Sequence, residues 1–303
     1  MGKHLALVSV GMPVYNGERF LRQALDSLLA QDYGNLELII SDNGSEDATQ
    51  AICEGYAAKD RRVRYYRSEV NYGHVANFTR VLTLARGEYF MWAACDDLWE
   101  PSFVQTCVEN LEETPGVSLA FSGFNNIDEN GVALKEYPQV QELASRDILQ
   151  RLQNYILQEE PLGKANLVYG VMRTNAIKAG GYRPWGLGSW GTDMLIVFGV
   201  LATGDLAVAR EVLFHKRLLQ STPDPASIEA TDKRRRAQML AASIEQWYGY
   251  FRGYSRIISK TDCLGQIEKL RLRATLWKRA SRVYEREVRH QLVNPIWRWI
   301  KRN

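Results

Sequence analysis

No run of this sequence comes near the roughly 20 consecutive apolar residues of a membrane-spanning helix. The longest candidate, Met194 to Ala202, reads as a buried helix instead. Leu5 to Val10 is too short for the apolar core of a secretory signal, and no small-residue cleavage site follows, so no signal peptide is expected. Met1-Gly2 opens an N-myristoylation pattern that fails at Ala6, where Ser or Thr is required. Cysteine is sparse: Cys53, Cys95, Cys107 and Cys263 are scattered, form no CxxC and have no histidine nearby. That argues against a zinc site and a disulfide framework, and makes a reducing cytoplasm the expected setting. There is no GxGxxG opening a helix after the first strand, and no GxxxxGK followed by Ser or Thr. Dinucleotide-binding and P-loop readings lose their main support with them. Internal repeats and low-complexity stretches are absent as well.

What is present is an ordinary globular composition, 46% hydrophobic and 24% charged over 303 residues. That is enough for one large core or two smaller ones. The net charge of +3 hides an asymmetry. Thr231 to Asn303 carries 18 Lys and Arg against 6 Asp and Glu, and the rest of the chain carries 20 against 29. A basic tail on an acidic body points to an anionic surface as the tail's partner.

Short apolar runs alternate with helical patterns through the first 125 residues. Strands are expected at Leu5–Gly11, Leu36–Ile40, Val63–Tyr66, Tyr89–Ala93 and Val117–Phe121. Leu21, Ala24, Leu25 and Leu28 mark one helix face, and Phe78, Val81, Leu82 and Ala85 another. Asn16 and Ser45 read as N-caps of the helices that follow them, and Pro101 as the first turn of a fourth helix. Further on come a helix over Ser145–Gln158, a strand-like run Leu167–Met172, a glycine-rich loop from Gly180 to Gly191, a helix from Thr192, a strand near Leu206–Ala209 and a second strand-like run at Val212–Phe214. Pro223 and Pro225 punctuate a linker. Two long amphipathic helices end the chain, one with Leu240, Ile244, Trp247, Phe251, Tyr254 and Ile258 on a face, the other with Ile267, Leu270, Ala274, Trp277, Tyr284 and Val288.

Alternating strands and helices imply a mostly parallel sheet with right-handed crossovers, whose ligands bind beyond the carboxyl ends of the strands. The polar clusters fall at those ends. Pro13 to Glu18 follows the first strand, Asp42-Asn43-Gly44-Ser45 the second, and Cys95-Asp96-Asp97 the fourth. Asp42 has the chemistry to accept a hydrogen bond from a nucleobase N–H. Adjacent carboxylates such as Asp96-Asp97 are costly unless solvated or neutralised, and a divalent cation answers that cost. A solvated turn with Asp97 capping the next helix answers it too.

Met12 to Glu18, Ser41 to Asp47, Asn71-Tyr72-Gly73 with Asn77, and Gly87 to Pro101 together resemble the nucleotide-binding half of family 2 glycosyltransferases. The resemblance implies a GT-A type fold, a Rossmann-like mostly parallel sheet flanked by helices, here with a C-terminal helical extension. Residues 1–220 would be the catalytic domain, 1–125 its nucleotide-binding half and 126–220 its acceptor half, and 221–303 a basic helical extension. It implies an inverting transfer of one sugar from a nucleotide-diphosphate sugar (UDP-, dTDP- or GDP-linked) to a hydroxyl of a glycan or glycolipid in surface polysaccharide assembly. Pro13, Tyr15, Asn16, Glu18, Asp42, Asn43, Asn77 and Asp96 would line the nucleotide pocket, with Mn2+ or Mg2+ on Asp96 and Asp97. The family commonly reads Asp-x-Asp-Asp where this chain has Ala94-Cys95-Asp96-Asp97, so the first carboxylate is missing and Asp96 becomes the expected primary ligand.

In the second half the resemblance places the general base at Asp193, before an apolar helix. His215 and Arg217 are expected at the diphosphate, with His215 alternatively a third metal ligand. Trp185 and Trp190 are candidate acceptor contacts. The tail, from Lys233 to Arg236 and through Trp297-Arg298-Trp299 to Arg302, fits either docking on the inner face of a membrane or packing against the catalytic domain or a second subunit. Nucleic acid is not expected, because no recognition motif accompanies the charge. No Gln-x-x-Arg-Trp is present, which argues against a processive synthase. A nucleotidyltransferase and a non-catalytic nucleotide-sugar scaffold are the competing readings.

Overall fold

The computed structural model describes residues 5–180, 191–219 and 233–289. Four parallel strands form its first half: β1 (Val8–Val14), β2 (Leu36–Asp42), β3 (Val63–Arg67) and β4 (Tyr89–Trp92), side by side as β3-β2-β1-β4. Helices α1 (Leu21–Leu29), α2 (Thr49–Lys59) and α3 (His74–Leu84) connect them. Every residue of β2 is buried, as expected of a strand covered on both faces. α1 buries Leu21, Ala24, Leu25 and Leu28, one stripe at helical spacing.

The second half adds β5 (Leu98–Trp99), α4 (Phe103–Glu113), β6 (Val117–Ile127), β7 (Ala133–Glu136), α5 (Ile148–Leu157), β8 (Val171–Arg173), α6 (Thr174–Ala179), α7 (Thr192–Leu201) and β9 (Asp205–Arg217). The sheet continues from β4 as β8-β6-β9-β5, with β7 paired to the end of β6. β8 runs antiparallel to both β4 and β6, and β5 antiparallel to β9, so a mixed half is grafted onto a parallel one.

Several local expectations change. Asn16 does not cap α1. Its φ is 51°, and its Oδ1 accepts from the Glu46 N–H. Ser45 does not cap α2, which begins at Thr49, and its Oγ accepts from the Asn16 N–H. The two side chains cap across the loops because the carboxyl ends of β1 and β2 lie side by side, Val14 opposite Asp42. The run Leu167–Met172 splits into a 3-10 turn, Lys164–Tyr169, and the short β8. Leu206–Ala209 and Val212–Phe214 fuse into one strand, bent where its register against β6 shifts.

Two long helices end the described chain, α8 (Lys233–Lys260) and α9 (Gln266–Val288). α8 buries Trp247, Phe251, Tyr254 and Ile258, and its Tyr250 hydroxyl donates to Met194 Sδ at 3.2 Å on α7. α9 turns outward most of the face expected to be buried, and of that face Tyr284 packs inward, against Phe251. It buries Leu272, Leu276, Arg279, Ala280 and Val283, and exposes Ile267, Leu270, Trp277 and Val288. The helix has two apolar stripes, and the buried one is anchored by Arg279, which pairs with Glu160 and Glu159 beside α5.

Candidate functional site

The loops at the carboxyl ends of β1 and β2 are laced together. The Gly17 N–H donates to Thr49 Oγ1 at 2.9 Å, the Glu18 N–H to Asp47 Oδ2 at 3.0 Å, and the Ala48 N–H to Glu18 Oε2 at 2.8 Å. Gly17 also lets this loop lie on the segment after β4: a Cβ there would sit 2.7 Å from Val14 Cγ2 and 3.1 Å from Cys95 Sγ. Pro13 is partly exposed where the β1–β4 ladder has ended, so its missing N–H costs no ladder bond. Tyr15 is exposed.

Asp42, Asn43 and Asn77 are buried and already engaged. Asp42 accepts from the Ser45 N–H at 2.8 Å and the Tyr65 hydroxyl at 2.7 Å, with Arg67 Nε 3.5 Å away. The Asn43 amide binds Asn71, Tyr72 and Gly73. The Asn77 amide donates to the carbonyls of Ser41 at 2.8 Å and Val14 at 3.3 Å, and its Oδ1 accepts from the Ser41 hydroxyl. Asn77 thus ties the ends of β1 and β2 together from α3. These three side chains hold the loops at the carboxyl ends of β1 and β2 in shape.

At the end of β4, Asp96 is partly exposed and its carboxylate has no hydrogen-bond partner among the described residues. Asp97 is fully buried and fully engaged. The antiparallel pairing of Leu98 with His215 and Trp99 with Phe214, continued one step, sets Asp97 opposite Lys216. Lys216 Nζ lies 2.9 and 3.2 Å from its two oxygens, and the Arg217 N–H donates to Oδ1 at 2.9 Å. Burial pushes the Asp97 carboxyl up to about 6, against the pull of Lys216 and with the help of Asp96. Lys216 itself is held above the usual lysine range: burial opposes its charge, and Tyr169, Asp97 and Asp96 outweigh burial. Its ammonium stands 5.2 Å from the Tyr169 ring centre.

Of the three basic side chains at this strand end, that of Lys216 meets the Asp97 carboxylate. Arg217 is spent on structure: Nε donates to the Asp96 carbonyl at 2.8 Å, Nη1 to the carbonyls of Asp128 and Glu129, and Nη2 to Gln23 Oε1. His215 is held between Asn125 Oδ1 at 2.7 Å and Glu100 Oε1 at 2.9 Å. The signal for Lys216 is strand alternation, which separates it from the face shared by its two neighbours.

Asp193 stands in the first turn of α7, after Gly191 in the left-handed region (φ 79°), where a Cβ would also meet the Tyr250 ring at 2.7 Å. Burial lifts its carboxyl above the usual aspartate range, with the Met194 N–H, Lys216 and Lys164 pulling the other way. Asp193 and Asp96 are therefore both within electrostatic reach of the Lys216 ammonium. Trp185 and Trp190 lie outside the described residues.

The donor set for a cation is small. Among the described residues no three His, Cys, Asp or Glu side chains converge on a point. Asp97 is neutralised by Lys216, which leaves Asp96 as the available carboxylate of the pair. Mg2+ and Mn2+ in nucleotide sites keep several waters and take one or two carboxylates plus phosphate oxygens, so Asp96 fits a cation that arrives with a diphosphate.

A parallel β3-β2-β1-β4 sheet, extended by mixed strands and carrying its polar loops at the carboxyl ends, is a GT-A type fold. The chain belongs to glycosyl transferase family 2, whose model matches residues 9–169. It is 33% identical over 129 residues to an uncharacterized glycosyltransferase of Rickettsia typhi, covering 42% of this chain and 39% of that one. It is 29% identical over 150 residues to the glycosyltransferase GlyG of Streptococcus pneumoniae, covering 48% and 50%. The chain thus spans half or less of these relatives' own length. In structure it is similar to Staphylococcus aureus TarS residues 1–349 in complex with UDP (TM-score 0.61, 18% identity, covering 92% of this chain and 90% of that one). It is also similar to the mannosyltransferase PcManGT of Pyrobaculum calidifontis in complex with GDP-Man and Mn2+ (TM-score 0.54, 15% identity, covering 96% and 87%).

Proposed function

We propose that this chain moves one sugar from a nucleotide-diphosphate sugar to a hydroxyl of a glycan or glycolipid, with inversion at the anomeric carbon, in assembly of a surface polysaccharide. The observation that carries the reading is an Asp96 carboxylate without a hydrogen-bond partner among the described residues at the end of β4, with Asp193 and Asp96 both in electrostatic reach of Lys216. The donor lies along the β1 and β2 loops, its base beside Tyr15 and Pro13 and its diphosphate at Asp96. Asp193 takes the proton of the acceptor hydroxyl as that oxygen bonds to the anomeric carbon. The bond from that carbon to the diphosphate breaks, and the diphosphate departs with the electron pair. Lys216 cancels the Asp97 carboxylate, so that this carboxylate does not oppose the charge that develops on the leaving group. Mn2+ or Mg2+ held by Asp96 would supply neutralisation of the diphosphate. The similar folds of TarS, in complex with UDP, and PcManGT, in complex with GDP-Man and Mn2+, support a nucleotide-sugar donor. Among the described residues no helix is long and apolar enough to cross a membrane. We take the enzyme to work on the cytoplasmic side, at the membrane surface when its acceptor is lipid-linked.

The test is a donor-hydrolysis screen of UDP-, dTDP- and GDP-sugars with and without Mn2+, paired with calorimetry of the free nucleotides. Binding of one nucleotide and hydrolysis of one donor class is the expected result. Calorimetry in which none of the three nucleotides binds sinks the reading.

A further inference from the structure

The face that α9 turns outward has no partner among the described residues. Trp277 on it is 71% exposed, the most of any large apolar side chain among the described residues, and Ile267 and Leu270 are 69% and 62% exposed. Leu270, Trp277, Ser281 and Val288 recur at offsets that share one helical stripe. Arg271, Lys278, Arg282 and Arg289 follow at the same offsets one residue later, which makes a second, cationic stripe about 100° around the helix. All eight residues of the two stripes are exposed. Glu285 lies among them and pairs with Arg289 at 3.1 Å, and no ion pair among the described residues engages Arg271, Lys278 or Arg282. The opposite face of α9 is already buried against the body through Leu272, Leu276, Ala280 and Val283, so this outer stripe is not needed for the core.

We propose that the outer face of α9 docks the enzyme on an anionic membrane surface. A tryptophan-centred apolar stripe beside a row of Lys and Arg matches the boundary between acyl chains and anionic headgroups, where the ring sits at headgroup level and each cation adds attraction. A second copy of the chain is the poorer occupant, since an antiparallel two-fold pairing through this face sets two cationic stripes side by side and a parallel one gives neither stripe an acidic partner on α9's outer face other than Glu285, which Arg289 already engages. The inference rests on the reading of a lipid-linked acceptor for its purpose, and on the α9 surface alone for its physics.

The experiment is flotation of the full chain with phosphatidylcholine vesicles, with and without phosphatidylglycerol. Binding to the anionic vesicles alone, weakening as salt rises, is expected. Neutralising three charges together (Arg271→Gln, Lys278→Gln, Arg282→Gln) weakens binding roughly 100-fold, at about fivefold per charge. Trp277→Ala weakens it about tenfold. These side chains are exposed, so thermal melts and donor hydrolysis in the absence of vesicles stay at the wild-type level. Equal binding to neutral and anionic vesicles overturns the proposal, as does a triple variant that floats like wild type. A dimer in sedimentation equilibrium that Trp277→Ala dissociates overturns it in favour of a second copy. Hydrolysis of no donor by any form instead sinks the transferase reading, and the flotation result is independent of it.

Discussion

Lys216 Nζ lies 2.9 Å from Asp97 Oδ2, across the step where β5 and β9 would pair next. Asp97 is fully buried, whereas the Lys216 side chain keeps 24% of its surface. The lysine therefore answers the cost that the sequence assigned to a cation. It also explains how an acidic pair survives at a strand end with Ala94 in the place of the family's first carboxylate. Lys216→Met strands a buried carboxylate and costs about 3 kcal/mol, the lower end for a broken buried pair because the lysine is partly solvated. Adding Asp97→Asn to that variant removes the stranded charge and recovers much of the loss. Urea melts of the two single variants and the double read this as a cycle. Strict additivity of the two losses contradicts the pairing.

Asp193→Asn keeps the shape of the α7 N-terminus and removes the proton acceptor. Turnover should fall by about 10^2- to 10^4-fold while nucleotide affinity stays near wild type. The wild-type pH profile carries a second signature. A base works deprotonated, and burial raises this carboxyl above its ordinary value of 3.8. Activity is present above the raised pKa and lost as pH falls through it, so the acid limb begins at a higher pH than an exposed aspartate would give. Rapid transfer by the Asn variant would move the base elsewhere.

The strands that carry the site are readable because each is a short apolar run ended by polar residues, as Leu36–Ile40 is before Asp42. The buried stripe of α1 and the unbroken apolar run of α7 are equally plain. What escapes a reading of the sequence is set by distant pairing. β8 takes its place between β4 and β6 through antiparallel partners far along the chain, and nothing local in Val171–Arg173 announces it. Residue type alone favours His215 and Arg217 over Lys216, because only the β5–β9 register decides which of the three meets Asp97. In α9 both stripes satisfy the same spacing, and Arg279 marks the buried one, which a preference for large apolar side chains hides.

Asn77 offers a test of the clamp on the ends of β1 and β2. Its side chain accepts from the buried Ser41 hydroxyl and donates to the carbonyls of Ser41 and Val14, the latter also bonded to the Asn43 N–H at 2.9 Å. Asn77→Ala leaves buried polar groups unpaired and should cost about 1–3 kcal/mol in a thermal or urea melt. Because Val14 and Ser41 bracket the proposed donor loops, nucleotide affinity should weaken as well. A variant as stable as wild type would show that the clamp is dispensable.

Lys164 gives a pH test of the contact between the body and α9. It is 1% exposed, donates to the carbonyls of Tyr155 and Gln158, and lies 3.2 Å from Glu160, which also binds Arg279. Burial pushes its ammonium down from 10.5 to about 8, with Glu160 resisting and Arg279 assisting. Between those two pH values the unfolded chain binds more protons than the folded one, so stability rises with pH. The contribution is fully present above 10.5 and is lost as pH falls through about 8. Lys164→Met removes this slope. The stability difference between variant and wild type should therefore move in favour of wild type as pH rises from about 7.5 to about 10. The slope is at most about 1.4 kcal/mol per pH unit, reached where the folded lysine is neutral and the unfolded one still charged. Urea midpoints at the two pH values measure it, and a difference that does not change with pH would mean that the lysine titrates as it does in water.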